Sequence, residues 1–579
     1  MVEAATVGIL YSVHNATDTI PTSPPPAAGS WHLIDWSKAR RIVKNLQARI
    51  VKAVEAGNWK KVRSLQRLLT NSWSAKVLAI LKVTRNKGGK TAGVDGKRWS
   101  SPKSKWEAIE QLQTRGYRVQ PVKRIKIPKG NGKWRKLGIP TIKDRAMQAL
   151  HLQALDPVAE TLADGHSYGF RPRRSCADAI RQCFNILYRP QSAEWILEAD
   201  IKACFDHISH QWLLNHIPMN KGVLKKWLTA GYMDRKQRFA TTAGTPQGAV
   251  ISPTLANMVL DGLQQTIDQH FGITRKKGYP NLRRIHFVRY ADDFIVTAKD
   301  KADLISVQPV IEQFLAERGM ELSQEKTKIT HTSEGFDFLG KHIRKYKGKL
   351  LTQPSKKSIK KVLDKLQQKI HKHRASPTYL LIHELNPILR GWANYHRADA
   401  SKRAFQYVGS RLWQMLWKWA KRRHPKKNKR WIKDQYFTTI KGDHWVFFVR
   451  LPKNEKFYLF RIEYVPIRRH EIIKTKANPY HPRDEVYFEG RADRQMVAHL
   501  KGKRKLRQLY QRQEGKCPVC QQKITLQSGW NVHHITPIYL GGTSELDNLV
   551  LLHPICHQQI HYQVEGVAAT AAWKEYLKR

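Results

Sequence analysis

Phe287-Val288-Arg289-Tyr290-Ala291-Asp292-Asp293-Phe294-Ile295-Val296 sets two β-prone arms around a short polar turn. That pattern predicts a hairpin. Its tip carries two adjacent carboxylates between apolar arms. Adjacent acids repel one another unless a cation lies between them. The simplest cation is Mg²⁺, which takes one or two carboxylates together with phosphate oxygens. Taken alone, the same pair would also suit a turn that faces water.

A second stretch shifts that balance. Trp195-Ile196-Leu197-Glu198-Ala199-Asp200-Ile201 is strand-like and ends in an acid, and Lys202-Ala203-Cys204-Phe205-Asp206 follows. An acid at the end of one strand could meet the hairpin tip of its neighbour. Asp200, Asp292 and Asp293 would then hold two Mg²⁺ ions about 3.5–4 Å apart, the arrangement for in-line phosphoryl transfer.

Tyr290-Ala291-Asp292-Asp293 resembles the catalytic motif of reverse transcriptases, and Asp200 to Asp206 resembles its partner motif in the same palm domain. Other stretches match in order: Ile127-Pro128-Lys129 through Gly138-Ile139-Pro140, Ser167-Tyr168-Gly169-Phe170-Arg171-Pro172, and Gly244-Thr245-Pro246-Gln247-Gly248 with Ile251-Ser252-Pro253. The match covers residues 60 to 345, and its wording is similar to that of bacterial group II intron-encoded proteins. The resemblance implies a multidomain α+β chain. It would hold a flexible tail (1–30), an N-terminal helical extension (31–85) and right-hand polymerase fingers and palm (86–345). A helical thumb or maturase domain (346–440), a DNA-binding region (441–500) and a small zinc-containing ββα-metal HNH endonuclease domain (501–579) would follow.

The resemblance also implies residue roles. Asp200, Asp292 and Asp293 would be catalytic. Arg124, Lys126 and Lys129 would hold phosphates in the fingers. Gln247 would line the site on a loop that Gly244, Pro246 and Gly248 bend toward template or nucleotide. Phe205, five residues after Asp200, would pack under the sugar and block a 2′-hydroxyl, selecting deoxynucleotides.

Residues 385–396 and the run Leu412-Trp413-Gln414-Met415-Leu416-Trp417-Lys418-Trp419 are rich in Trp at helical spacing. Helix-bundle core explains most of these rings better than base stacking. The basic run Lys421 to Lys427 is interleaved with aromatics and suits a phosphate backbone. This segment resembles the thumb or maturase region, which implies binding to folded intron RNA and to an RNA template with a DNA primer.

Cys517-Pro518-Val519-Cys520 is answered by His553-Pro554-Ile555-Cys556. Two such pairs fit a tetrahedral Zn²⁺ site. Between them lie His533-His534 and Asn548, and His557 and His561 follow at i, i+4 spacing on one helix face. The tail resembles HNH endonucleases. By that resemblance His534 is the general base, Asn548 orients it, and His533, His557 and His561 hold a divalent ion on the scissile phosphate. His553 departs from the four-cysteine set of many such domains, and Cys₃His remains an ordinary zinc set.

Composition agrees. With 103 Lys+Arg against 46 Asp+Glu, the net charge of +57 calls for an acidic partner, and nucleic acid leads. No stretch approaches the roughly 18 apolar residues of a spanning helix, so no membrane partner is expected. Six cysteines in 579 residues exclude a disulfide scaffold, and an intracellular protein associated with the nucleoid in the cytoplasm is expected. The expected partners are intron RNA, target DNA, primed RNA template and deoxynucleoside triphosphates. Two other readings remain at this point: an RNA-binding splicing factor with an inactive polymerase fold, and an HNH homing endonuclease with accessory domains.

Overall fold

The basic segment after position 30 folds as three helices, Trp36–Glu55, Trp59–Asn71 and Trp73–Arg85. By residue type Ser37 could also cap the first helix. Asp35 takes that place instead, its carboxylate accepting from the Lys38 amide at 2.9 Å. A carboxylate there satisfies an orphan N–H and also opposes the helix dipole. The second and third helices are separate because Ser72 is extended and turns the chain between them. All three pack on the long helix Ile142–Leu162, which is buried on most of its circumference.

The computed structural model describes residues 30–564, apart from 129–131, 133, 236, 276–280, 441, 453–454 and 539–540. The expected tail before Ser30 and the phosphate-holding role of Lys129 therefore lie outside the described residues.

The architecture is mixed α/β. Four strands form one sheet in the order Trp134–Ile139, Val122–Pro128, Tyr232–Asp234, Gln237–Phe239. A second four-stranded sheet has the order His286–Tyr290, Asp293–Ala298, Trp195–Asp200, Lys328–His331. This second sheet takes the place of the expected palm. Its central strands bury Leu197, Phe294 and Ile295 fully, because helix Lys301–Ala316 covers one face and helix Cys176–Leu187, with Phe336 and Phe338, covers the other.

A separate apolar core lies in the helical unit that follows. Helices Lys356–Lys372, Thr378–His396 and Lys402–Arg423 pack around Leu366, Leu389 and Leu412. The sheet of Phe437–Ile440, Asp443–Arg450 and Lys456–Tyr458 closes over them, with residues on both sides of position 440. The Trp rings are chiefly core, as expected: Leu416 and Trp419 are buried, and Trp413 stacks on Trp417 at 6.0 Å.

Residues 470–491 run back over the first unit. Asp178 accepts from the Ile473 amide at 2.9 Å and from Arg491 at 3.1 Å, and pairs with His470 at 2.9 Å. This return was not legible in the sequence. The C-terminal unit also docks early in the chain: Gln559 Nε2 donates to the carbonyls of His32 at 2.9 Å and Ile34 at 3.0 Å. Its apolar core is continuous with that of the N-terminal helices.

Candidate catalytic centres

The palm-like sheet gathers the acids through register. Asp200 stands opposite Asp293 across the central pair, and Tyr290 stands opposite Asp293 within the hairpin. The turn between the arms needs Ala291 at φ +59°, a conformation that costs a non-glycine residue energy. Three devices hold it. Gly169 lies so close that any Cβ there would collide with the Ala291 backbone and fall 2.9 Å from the Tyr290 carbonyl carbon. The Tyr168 amide donates to the Arg289 carbonyl at 2.9 Å, and the Arg289 amide donates to His166 at 3.0 Å. The Arg289 side chain, fully buried, pairs with Asp261, and donates to Asn257 at 3.2 Å and to the Ala291 carbonyl at 3.4 Å.

Burial pushes the Asp293 carboxyl up to about 7, and Asp200, Asp292 and Glu198 push it the same way. Burial also raises Asp292; Asp200 adds to the rise, while Lys326 and Arg135 oppose it. Lys326 reaches Asp200 as an ion pair. Carboxylates this crowded gain from any cation placed among them.

The other expected residues frame this turn. Phe205 is half-buried and meets the exposed Phe170 edge-on at 6.3 Å. The loop of Gly244 to Gly248 is pinned from both sides. Gly244 donates to Ile208 at 2.8 Å, Thr245 to Phe205 at 2.7 Å, and Gly138 to the Gln247 carbonyl at 2.7 Å. Gly248, at φ +107°, leaves no room for a Cβ beside the Gly138 carbonyl. Arg124 stacks on Tyr232, its guanidinium 3.2 Å from the ring centroid. Lys126 is exposed and stands opposite Lys136 across the fingers-like hairpin. Like charges facing across a ladder cost stability, and the pair concentrates positive charge on this hairpin.

The C-terminal unit is organised differently. Cys517, Cys520, His553 and Cys556 are buried with their ligand atoms within 4.8 Å of one another. His553 Nδ1 lies 3.2 Å from Cys520 Sγ, while its Nε2 meets the Lys523 carbonyl at 3.2 Å. That outer contact fixes the tautomer with Nδ1 free for a metal, as metal-bound imidazoles require. The donor set fits Zn²⁺.

A second cluster joins His533, His557 and His561, again within 4.8 Å. His533 and His534 lie on the strand Asn531–His534, paired antiparallel with Leu549–Leu552. The other two lie on the helix Pro554–Val564. Burial lowers the His533 imidazole to about 4, and His557, His561 and His534 push it further down. Neutral imidazoles are ready ligands. His534 lies beside this cluster with Nε2 3.3 Å from Ser544 Oγ. Asn548 meets the loop backbone and not His534: its amide donates to Thr543 at 2.7 Å and Thr536 at 3.0 Å, and its oxygen accepts from the Thr536 amide at 2.7 Å. It therefore holds the loop that brings Ser544 to His534.

Among the described residues these are the two clusters with three or more ligand atoms so close; the palm acids are not a third. The sequence reading missed the Arg289–Asp261–Asn257 support and Lys326. A signal for the first existed: an arginine inside an otherwise apolar strand needs a buried partner.

Comparisons with known proteins agree with this layout. The reverse transcriptase (RNA-dependent DNA polymerase) family matches residues 127–343, and the N-terminal domain of reverse transcriptase matches 31–112. The group II intron maturase-specific domain matches 359–437, and HNH endonuclease matches 517–563. The group II intron-encoded protein LtrA of Lactococcus lactis subsp. cremoris is 34% identical over 323 residues, 45% of this chain and 53% of LtrA. The chain thus spans about half the length of that relative. Protein YkfC of Escherichia coli (strain K12) is 31% identical over 342 residues, 52% of this chain and 88% of YkfC. The putative COX1/OXI3 intron 2 protein of Saccharomyces cerevisiae is 30% identical over 287 residues, 41% of this chain and 33% of that protein. With reverse transcriptase, maturase and HNH endonuclease domains in one polypeptide, the chain belongs to the family of group II intron-encoded proteins.

Proposed function

We propose that this protein copies RNA into DNA, assists splicing of its intron RNA, and nicks target DNA to supply the primer. The observation that carries the reading is the cross-strand placement of Asp200 against Asp293, beside a strained Ala291-Asp292 turn that buried groups hold in shape. Asp200, Asp292 and Asp293 would hold Mg²⁺, which supplies charge stabilisation for phosphoryl transfer from a deoxynucleoside triphosphate. Lys326 offsets the negative charge at Asp200. Phe205 and Phe170 form the aromatic wall against which a sugar without a 2′-hydroxyl fits. Arg124 and Lys126 meet phosphates, and Gln247 sits on the pinned loop that faces template or nucleotide.

In the C-terminal unit, Cys517, Cys520, His553 and Cys556 hold Zn²⁺ as a structural ion. His533, His557 and His561 hold the nuclease's divalent ion, and His534 accepts a proton from water. Asn548 acts as a positioning residue, through the loop and Ser544. The basic helices of the 346–440 segment bind intron RNA, and the 441–500 segment meets target DNA through exposed rings such as Trp445 and Tyr464. The site of action is the nucleoid, within the cytoplasm.

Primer extension on an RNA template with deoxynucleotides and Mg²⁺ tests the polymerase role. Wild-type synthesis that disappears in Asp292→Ala supports it. Synthesis that persists in the variant removes the palm acids from the chemistry.

A further inference from the structure

At the far end of the hairpin strand that leads to the catalytic turn lies a cavity of about 580 Å³. Tyr188, Arg189, Gln191, Arg284 and His286 line it, and no Asp or Glu does. His286 opens the strand whose other end is Tyr290, so the cavity sits about 14 Å from the catalytic turn at ~3.4 Å per residue. It is separate from the site described above. Its volume lies in the range of pockets that take small ligands or single groups, roughly 300–1,000 Å³.

Three observations set its chemistry. Among the described residues neither Arg189 nor Arg284 has a carboxylate partner; Arg189 Nε donates to the Tyr188 hydroxyl at 3.1 Å, with its guanidinium 5.7 Å from that ring's centroid. The Lys345 ammonium reaches the rim, donating to Ser192 Oγ at 2.8 Å and to the Arg189 carbonyl at 3.3 Å. Tyr188 is 43% exposed and stacks parallel to Phe184 at 5.6 Å, with Arg181 over the Phe184 ring at 4.8 Å. Guanidiniums free of acids select a phosphate, and an exposed ring backed by a second ring offers a stacking face.

The backbone of Arg284 adds an independent sign. It sits at φ +55°, where an arginine is strained and a glycine would not be. The Thr297 hydroxyl donates to its carbonyl at 2.9 Å, and its own amide donates to Asn281 at 3.2 Å, so the conformation is held in place. Strain kept by surrounding structure clusters where a side chain is needed.

We propose that this cavity binds one nucleotide of a single-stranded nucleic acid, its phosphate on Arg189 and Arg284 and its base on Tyr188. The site would guide a strand along the outer face of the palm, away from the polymerisation centre. It rests on the reading that the chain acts on single-stranded RNA or DNA, and the test separates the two.

The full chain is irradiated with a ten-nucleotide oligouridylate that carries one 4-thiouridine, and cross-linked peptides are mapped. A cross-link in the Tyr188 peptide is expected, with its yield down about tenfold in Arg284→Gly and in Arg189→Ala, the loss of one charged hydrogen bond. Arg284→Gly should keep a thermal midpoint no lower than wild type, because glycine relieves the strain. Tyr188→Ala is the second variant, and it should lose the cross-link with the fold intact. Absence of the Tyr188 cross-link, or a yield that neither Arg284→Gly nor Tyr188→Ala changes, overturns the site. Primer extension run on the same samples reports the polymerase reading separately: extension without this cross-link leaves that reading and removes the site, and the reverse result does the opposite.

Discussion

The palm acids and the Cys/His tail are both candidate metal centres, yet they are assembled by opposite means. Asp200 and Asp293 are 93 positions apart in the chain and meet only because two strands pair in one register. The tail's four ligands fall within 40 positions and already converge to within 4.8 Å. The acids stay charged near neutrality unless burial raises them, so they resist closing on one another without a cation. Thiols and imidazoles can share protons and collapse into a core, and these four are buried. The palm therefore depends on a rigid frame around a reluctant cluster, and on the zinc reading proposed above the tail's ion would lock ligands that already converge.

The largest expected effect tests the second half of that contrast. Chelation, or Cys520→Ala, should open the C-terminal unit, because structural zinc contributes about 10–16 kcal/mol in small domains. Hydrogen exchange should show lost protection across 517–556 while primer extension survives. Protection should also weaken near His32 and Ile34, where Gln559 anchors. Retained protection throughout would mean the unit is held by its core alone.

Next is the frame of the palm. Gly169→Ala would drive a methyl group into the Ala291 backbone. A displacement of about 1 Å at a catalytic turn can cost about 100-fold, so extension should fall by that order while DNA nicking is unchanged. Normal extension would show that the turn tolerates movement.

A smaller effect is expected at Phe205. Its replacement by Ala removes half of the aromatic pair with Phe170. Discrimination against ribonucleotides should drop about tenfold, read as the ratio of incorporation efficiencies for ribo- and deoxynucleotides.

The smallest effect is a change in pH profile. Burial raises Asp261 to about 7, with Asp164 pushing the same way and Arg289 opposing. As pH falls through 7 this carboxyl takes up a proton and its hold on Arg289 weakens, so extension should decline there. The stability sign is opposite. Between the unfolded value near 4 and about 7, the folded chain keeps a proton that the unfolded chain has lost, so this group's contribution to stability falls as pH rises. Asp293 titrates in the same range, so Asp261→Asn should lessen the fall in rate below pH 7 without abolishing it. An unchanged profile would remove Asp261 from the support of the turn.

What could be read from the sequence followed from how local each signal is. The hairpin, the partner strand and the two ligand pairs are short patterns with few alternatives, and the structure has the corresponding strands and cluster. Helix ends were less legible, because Asp35 and Ser37 are both good caps and only tertiary packing chooses between them. Ser72 breaks a continuous helical pattern that composition alone would have carried through. Contacts across hundreds of residues, such as Asp178 with Arg491 and Gln559 with His32, leave no periodic trace. Arg289 is the instructive miss. Its charge inside an apolar strand was visible, but Asp261 and Asn257, which satisfy it, are 28 and 32 residues away.

Two independent centres in one chain should be separable by a crossed pair of variants. Asp292→Ala and His534→Ala, each as the full chain, are assayed for primer extension and for nicking of target DNA. Asp292→Ala is expected to lose extension and still nick, and His534→Ala to lose nicking and still extend. Loss of both activities in either variant, or of neither, would mean that the two centres are not independent.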